Sequence, residues 1–211
     1  QEQAVAVAYS ITPNSSVPDG RIGNFGTRDT LNPLIMKLVR PRLLGSHHRT
    51  AWRMMLKNRY SLGGRGIKKE GFDLNVFYQV SGSPDIDNVL PQGVRLTEMF
   101  GLDRFHTDGT TSGADGTFDY FPQLTIDESR GELIFPTVEP FDTTSIRFFL
   151  ERRGGFSLQQ AQSAADSFSF RAIYDTTDNG ARNSDRNKFV IRGTITPSTA
   201  STYNLGFNIV E

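Results

Sequence analysis

The chain contains no cysteine. That excludes a disulfide framework, a cysteine-based zinc site and a thiol nucleophile. Histidine is scarce: His47, His48 and His106 are the three present. Neither Gly-x-Ser-x-Gly nor His-Glu-x-x-His occurs, so the two commonest hydrolase signatures are missing. No pair of carboxylates is marked out for glycoside hydrolysis, although Asp and Glu are plentiful. Net charge is absent as well: 23 basic residues balance 23 acidic ones, and no overall field argues for nucleic acid. No apolar run approaches the roughly 18 residues of a membrane helix. A basic start followed by an apolar run, the mark of a secretory leader, is missing too. The chain does not begin with Met and ends inside a strand-like run, Tyr203 to Glu211. It therefore reads as a soluble piece of something longer.

Aromatics are abundant. Sixteen Phe and six Tyr offset a hydrophobic content of 36%, and 211 residues are enough to bury a core without staples. Short apolar or alternating runs recur between turn residues. Val5–Ile11, Arg21–Phe25, Leu34–Val39, Phe72–Val80, Thr117–Phe121, Leu124–Ile126, Glu132–Phe135, Lys188–Ile195 and the last run all read as strands. The first two form a hairpin-like pair around a long loop. Trp52, Met55, Leu56 and Tyr60 follow helical spacing. Leu96–Leu102 reads as one or two helical turns. Asp142 caps a turn through Ile146, Phe149 and Leu150, and Ser157 caps a helix through Ala165. Asp178-Asn179-Gly180 reads as an exposed turn. The expected fold is mainly β with a few short helices, sandwich-like, its core held by aromatics such as Trp52, Phe77, Phe118, Phe135 and Phe189. Residues 1–32, a strand pair and loop, and residues 33–211, the β-rich body, belong to one domain.

Charge is unevenly placed. Lys37 to Lys69 holds ten basic residues and no acidic one, whereas Glu70 to Glu151 holds fifteen acidic and four basic. The two stretches either neutralise each other across the fold or leave a basic face for an acidic partner. Arg49, Arg53, Arg59 and Arg65 are the candidate partner contacts, because the guanidinium fork gives geometrically specific pairing. Gly63-Gly64-Arg65-Gly66 looks like a phosphate cradle but lacks the Gly-Lys-Ser/Thr frame and the following helix. It reads as a turn. Asp108, Asp115 and Asp119 place short carboxylates in a Gly-rich loop. Such a loop either supplies oxygens to calcium or caps its own backbone.

Several phrases occur together in one order. They are Trp52 to Leu62, Phe72-Asp-Leu-Asn-Val-Phe-Tyr78, Leu102-Asp-Arg-Phe105 and Asp115-Gly-Thr-Phe-Asp-Tyr-Phe121. Gly131-Glu-Leu-Ile-Phe-Pro-Thr-Val-Glu-Pro-Phe141, Asp185 to Gly193 and Asn204-Leu-Gly-Phe-Asn208 complete the series. Across most of residues 33–209 this resembles the soluble segments of the SprA/Sov family of Bacteroidota, very large outer-membrane proteins of gliding motility and type 9 secretion. The resemblance rests on structural motifs and carries no catalytic residue.

It implies a parent β-barrel translocon, with this chain a domain inserted in or attached to the barrel. The domain itself would not span the membrane and would lie on the extracellular side rather than the periplasmic side. The function expected is non-catalytic structure and docking, with other parts of the barrel and secretion components as partners and no nucleic acid. The rival reading is a calcium-dependent carbohydrate-binding module of a secreted protein. It needs an exposed aromatic platform near the Asp loop, such as Tyr120 with Phe105. Calcium is the one cofactor these residues leave open.

Overall fold

The computed structural model describes residues 6–7, 9–10, 21–22, 37–38, 52, 55–106, 113–153, 155–198 and 201–209. The first strands are short. β1 (Ala6–Val7) pairs antiparallel with β4 (Lys37–Leu38), and β2 (Tyr9–Ser10) pairs with β3 (Arg21–Ile22). The hairpin-like pairing expected for the first two runs is present, in the register Tyr9↔Ile22.

The body contains β5 (Arg59–Ser61), β6 (Asp73–Tyr78), β7 (Asn88–Val89), β8 (Val94–Arg95) and α1 (Leu96–Met99). β9 (Ile126–Asp127), β10 (Glu132–Ile134), α2 (Thr143–Arg153) and α3 (Leu158–Phe168) follow. α4 (Ala172–Asp175), α5 (Asp178–Arg182), β11 (Phe189–Ile195) and β12 (Tyr203–Asn208) complete it. The architecture is mainly β: small antiparallel sheets with a few short helices. One three-stranded sheet runs β5-β10-β9 and another runs β12-β11-β6, with β7 and β8 as a separate pair.

β6 shows why alternation makes a strand. Leu74, Val76 and Tyr78 are buried, because side chains two apart share a face. Phe77 necessarily points the other way and is half-exposed, with the Arg192 guanidinium 5.1 Å from its ring centroid. The expectation that Phe77 belongs to the core is corrected on that ground. Gly193 of β11 faces Leu74, and a Cβ there would lie 2.0 Å from the Asp73 carbonyl oxygen. Only glycine permits that approach.

Both three-stranded sheets reach one aromatic core. Phe100 packs edge-on against Phe135, Phe141 and Phe189, with centroids 5.1–5.7 Å apart. Tyr60 of β5 meets Phe135 from one side, and Tyr78 of β6 meets Phe189 from the other. Such edge contacts add to what area burial supplies. Phe118 is buried in a second group with Phe72 and Tyr120.

Three further expectations change. Tyr60 lies in a strand, not at the end of a helix, because β5 pairs with β10 (Tyr60↔Leu133). Trp52 is half-buried at the edge of the core rather than enclosed by it, with Lys57 Nζ 4.5 Å from its ring centroid. Thr117–Phe121 is not a strand: Asp119 donates its N–H to Leu102 O and the segment stays irregular.

The helices follow their caps. Asp142 Oδ2 accepts the Thr144 N–H at 2.8 Å ahead of α2, and Ser157 with Gln160 forms a reciprocal capping box ahead of α3. Ala161 and Ala165 are fully buried in α3, which packs against α2. Asp178-Asn179-Gly180 is the first turn of α5 rather than a free turn, because Thr177 Oγ1 accepts the Gly180 N–H at 3.1 Å. No helix among the described residues is long and apolar enough to cross a membrane.

Candidate functional site

The aspartate loop is held by its own carboxylates. Asp103 is fully buried. Its Oδ1 accepts the Asp115 N–H at 3.1 Å and its Oδ2 the Gly116 N–H at 2.9 Å. Burial pushes its carboxyl above the ordinary value, against the pull of those two N–H groups. Asp119 Oδ2 accepts N–H bonds from Arg104 at 2.6 Å and Phe105 at 3.2 Å. Asp115 Oδ1 accepts the Thr117 N–H at 2.9 Å. Asp108 lies outside the described residues. Among the described residues, no three His, Asp or Glu side chains converge as a metal site.

The aromatics beside this loop differ from the expected platform. Tyr120 is buried and donates its hydroxyl to Ile67 O at 2.9 Å, so it is core. Phe105 and Phe121 are the exposed pair, with rings at 90° and centroids 5.5 Å apart. Crossed rings do not make one flat stacking surface.

The basic stretch divides. Arg49 and Arg53 lie outside the described residues. Arg59 is paired, with Glu132 at 3.3 Å and Asp127 at 3.9 Å. Asp127 also accepts from Ser129 Oγ at 2.7 Å and Arg130 N at 3.1 Å. The Ser129 bond foremost, with Arg130 and Arg59, holds its carboxyl below the ordinary value. Arg65, Lys68 and Lys69 are exposed and make no ion pair among the described residues.

The loop carrying those three cations is clamped through its backbone. Leu62 N donates to Gly131 O at 2.8 Å, Ile67 N to Glu128 O at 3.0 Å and Lys68 N to Thr196 O at 3.0 Å. Ser198 N donates to Arg65 O at 3.3 Å, and Tyr203 Oη to Leu62 O at 3.1 Å. At Gly131, with φ +65°, a Cβ would lie 1.7 Å from Gly64 O. This is a structural turn, as the missing phosphate-loop frame implied.

Sequence reasoning missed a cavity of about 570 Å³ between α1, the 136–140 loop and α2. Met99, Phe148, Phe149, Pro136 and Pro140 supply apolar wall, and Glu98, Asp103, Arg104, Arg152 and Arg153 supply charge. Glu98 is buried and bonded to Arg153. The Arg152 guanidinium stands 4.7 Å from the Phe148 ring centroid. The only sequence signal was a Phe-Phe pair followed four residues later by Arg-Arg at a helix end. A second groove, about 670 Å³, runs between residues 84–90 and α3. No protein-family model matches the chain, and no curated protein matches it in sequence.

Proposed function

We propose that the chain is a non-catalytic docking and bracing domain of an outer-membrane protein-translocation channel, of the kind used in type 9 secretion and gliding motility. The motif order that resembles the SprA/Sov family supports this reading. Four of its seven phrases fall on β6, the β10-to-Phe141 segment, β11 and β12. In this reading the two three-stranded sheets stack as a sandwich. The domain is inserted in or attached to the barrel at its extracellular side, and it contacts other barrel segments and secretion components.

The observation that carries the docking role is the clamped 63–69 loop. Its backbone is fixed by bonds to three other segments. Its cations Arg65, Lys68 and Lys69 have no ion-pair partner among the described residues. Three exposed cations on a loop with a hydrogen-bonded backbone, in a chain of zero net charge, steer an acidic partner in a salt-dependent way. Arg59 is already paired with Glu132 and Asp127, so the proposed contact rests on Arg65, Lys68 and Lys69. The test is the triple reversal Arg65→Glu, Lys68→Glu, Lys69→Glu in the parent chain. Secretion should fail while the melting temperature of the isolated domain stays unchanged. Secretion at wild-type levels would reject the docking role.

The carbohydrate-binding reading retains one supporting observation, the exposed Phe105 and Phe121 beside Asp119. It requires a glycan that binds in millimolar calcium and leaves on chelation. Absence of glycan binding in calcium would end it.

A further inference from the structure

We propose that the cavity between α1, the 136–140 loop and α2 binds an organic carboxylate carrying an apolar body. Its volume of about 570 Å³ falls within the roughly 300–1,000 Å³ of small-molecule sites. The walls are Met99, Phe148, Phe149 and Pro136, which suit an aromatic or branched alkyl group.

The charges decide the polar end. Three arginines and two carboxylates line the cavity. Glu98 is bonded to Arg153, so that pair is closed. Asp103 is engaged by two backbone N–H groups. Arg104 and Arg152 remain, with no carboxylate partner among the described residues. Both are exposed at the rim of the cavity. The Arg104 guanidinium lies against Gly101, and Arg152 stacks on Phe148. The Arg152 fork over the Phe148 ring, with the Arg104 fork at the same cavity, matches the planar two-oxygen geometry of a carboxylate. A monoanion fits better than a phosphate dianion, because Glu98 and Asp103 repel each added negative charge.

The same chemistry comes from two sources, a free acid or the C-terminal residue of a peptide. Three probes separate them: 3-phenylpropionate, N-acetylphenylalanine and N-acetylphenylalanine amide, titrated into the whole chain and followed by nuclear magnetic resonance. Both acids should shift the Phe148 and Arg152 resonances and saturate, and the amide should not. Binding by N-acetylphenylalanine alone assigns the site to a peptide end, and binding by both assigns it to carboxylates generally. Arg104→Gln and Arg152→Gln should each weaken binding about tenfold or more with an unchanged melting temperature. The proposal is overturned if neither acid binds at millimolar concentration. It is equally overturned if the amide binds as well as the acid, or if affinity survives the double variant.

Discussion

Two loops in this molecule are built from the same turn-forming residues and end in opposite states. In the 103–119 loop the side chains hold the backbone: Asp103, Asp115 and Asp119 each accept backbone N–H bonds. In the 63–69 loop the backbone holds itself against Glu128, Gly131 and Thr196–Ser198, and the charged side chains take no part. A carboxylate that caps backbone N–H groups has part of its acceptor capacity already spent. A lysine on a loop fixed by its main chain is displayed with the backbone already ordered, so a partner has only the side chain left to order. Where a charge sits in sequence therefore says less about recognition than whether the fold already uses it.

Breaking the backbone clamp should have the largest effect. Gly131→Ala places a Cβ 1.7 Å from Gly64 O at a φ of +65°. Stability should fall by about 3 kcal/mol or more, which is about 10 °C in melting temperature for a chain of this size. Thermal melts read it, and an unchanged melt would mean the 63–69 loop is not clamped there. Asp103→Ala comes next. It leaves two N–H groups without their acceptor and should cost about 2–3 kcal/mol in denaturant titrations.

The pH response of Asp127 is smaller. Its carboxyl is held below the ordinary 3.8, so the stability it contributes is present above that value and is lost as pH falls through the lower folded-state value. Asp127→Asn should flatten the acid limb of the stability profile below about pH 4. An identical acid limb in both proteins would show that the Ser129 and Arg130 bonds do not matter. Arg59→Ala, which removes two partly exposed pairs, should cost about 0.5–1 kcal/mol. The triple reversal of Arg65, Lys68 and Lys69 should be nearly silent in stability, since exposed substitutions away from structural features stay within about 0.5 kcal/mol each.

The long strands and the capped helices were legible because their information is local. Leu74 and Val76 alternate with Asp73 and Asn75, and Ser157 with Gln160 marks its own helix start. Tyr60 was misread because spacing at i, i+3, i+4 and i+8 satisfies a helix by coincidence, while the pairing of Tyr60 with Leu133 lies 73 positions away in the chain. Phe77 was misplaced because a run apolar on both faces hides which side is buried. α5 was missed because Gly180 inside Asp178–Arg182 reads as a turn until Thr177 is seen to cap it. The cavity was invisible for a different reason. Its walls come from α1, residues 100–104 and 113–114, the 136–140 loop and α2, and only packing joins them.

Zero-length carbodiimide coupling in intact host membranes tests the docking role most directly, since it joins lysine amines only to carboxylates already in contact. Lys68 or Lys69 should be recovered linked to an Asp or Glu outside residues 1–211, in a secretion component or another part of the parent chain. Those links should weaken as salt rises. Recovery of both lysines linked only to carboxylates within residues 1–211, at every salt concentration, would contradict the account.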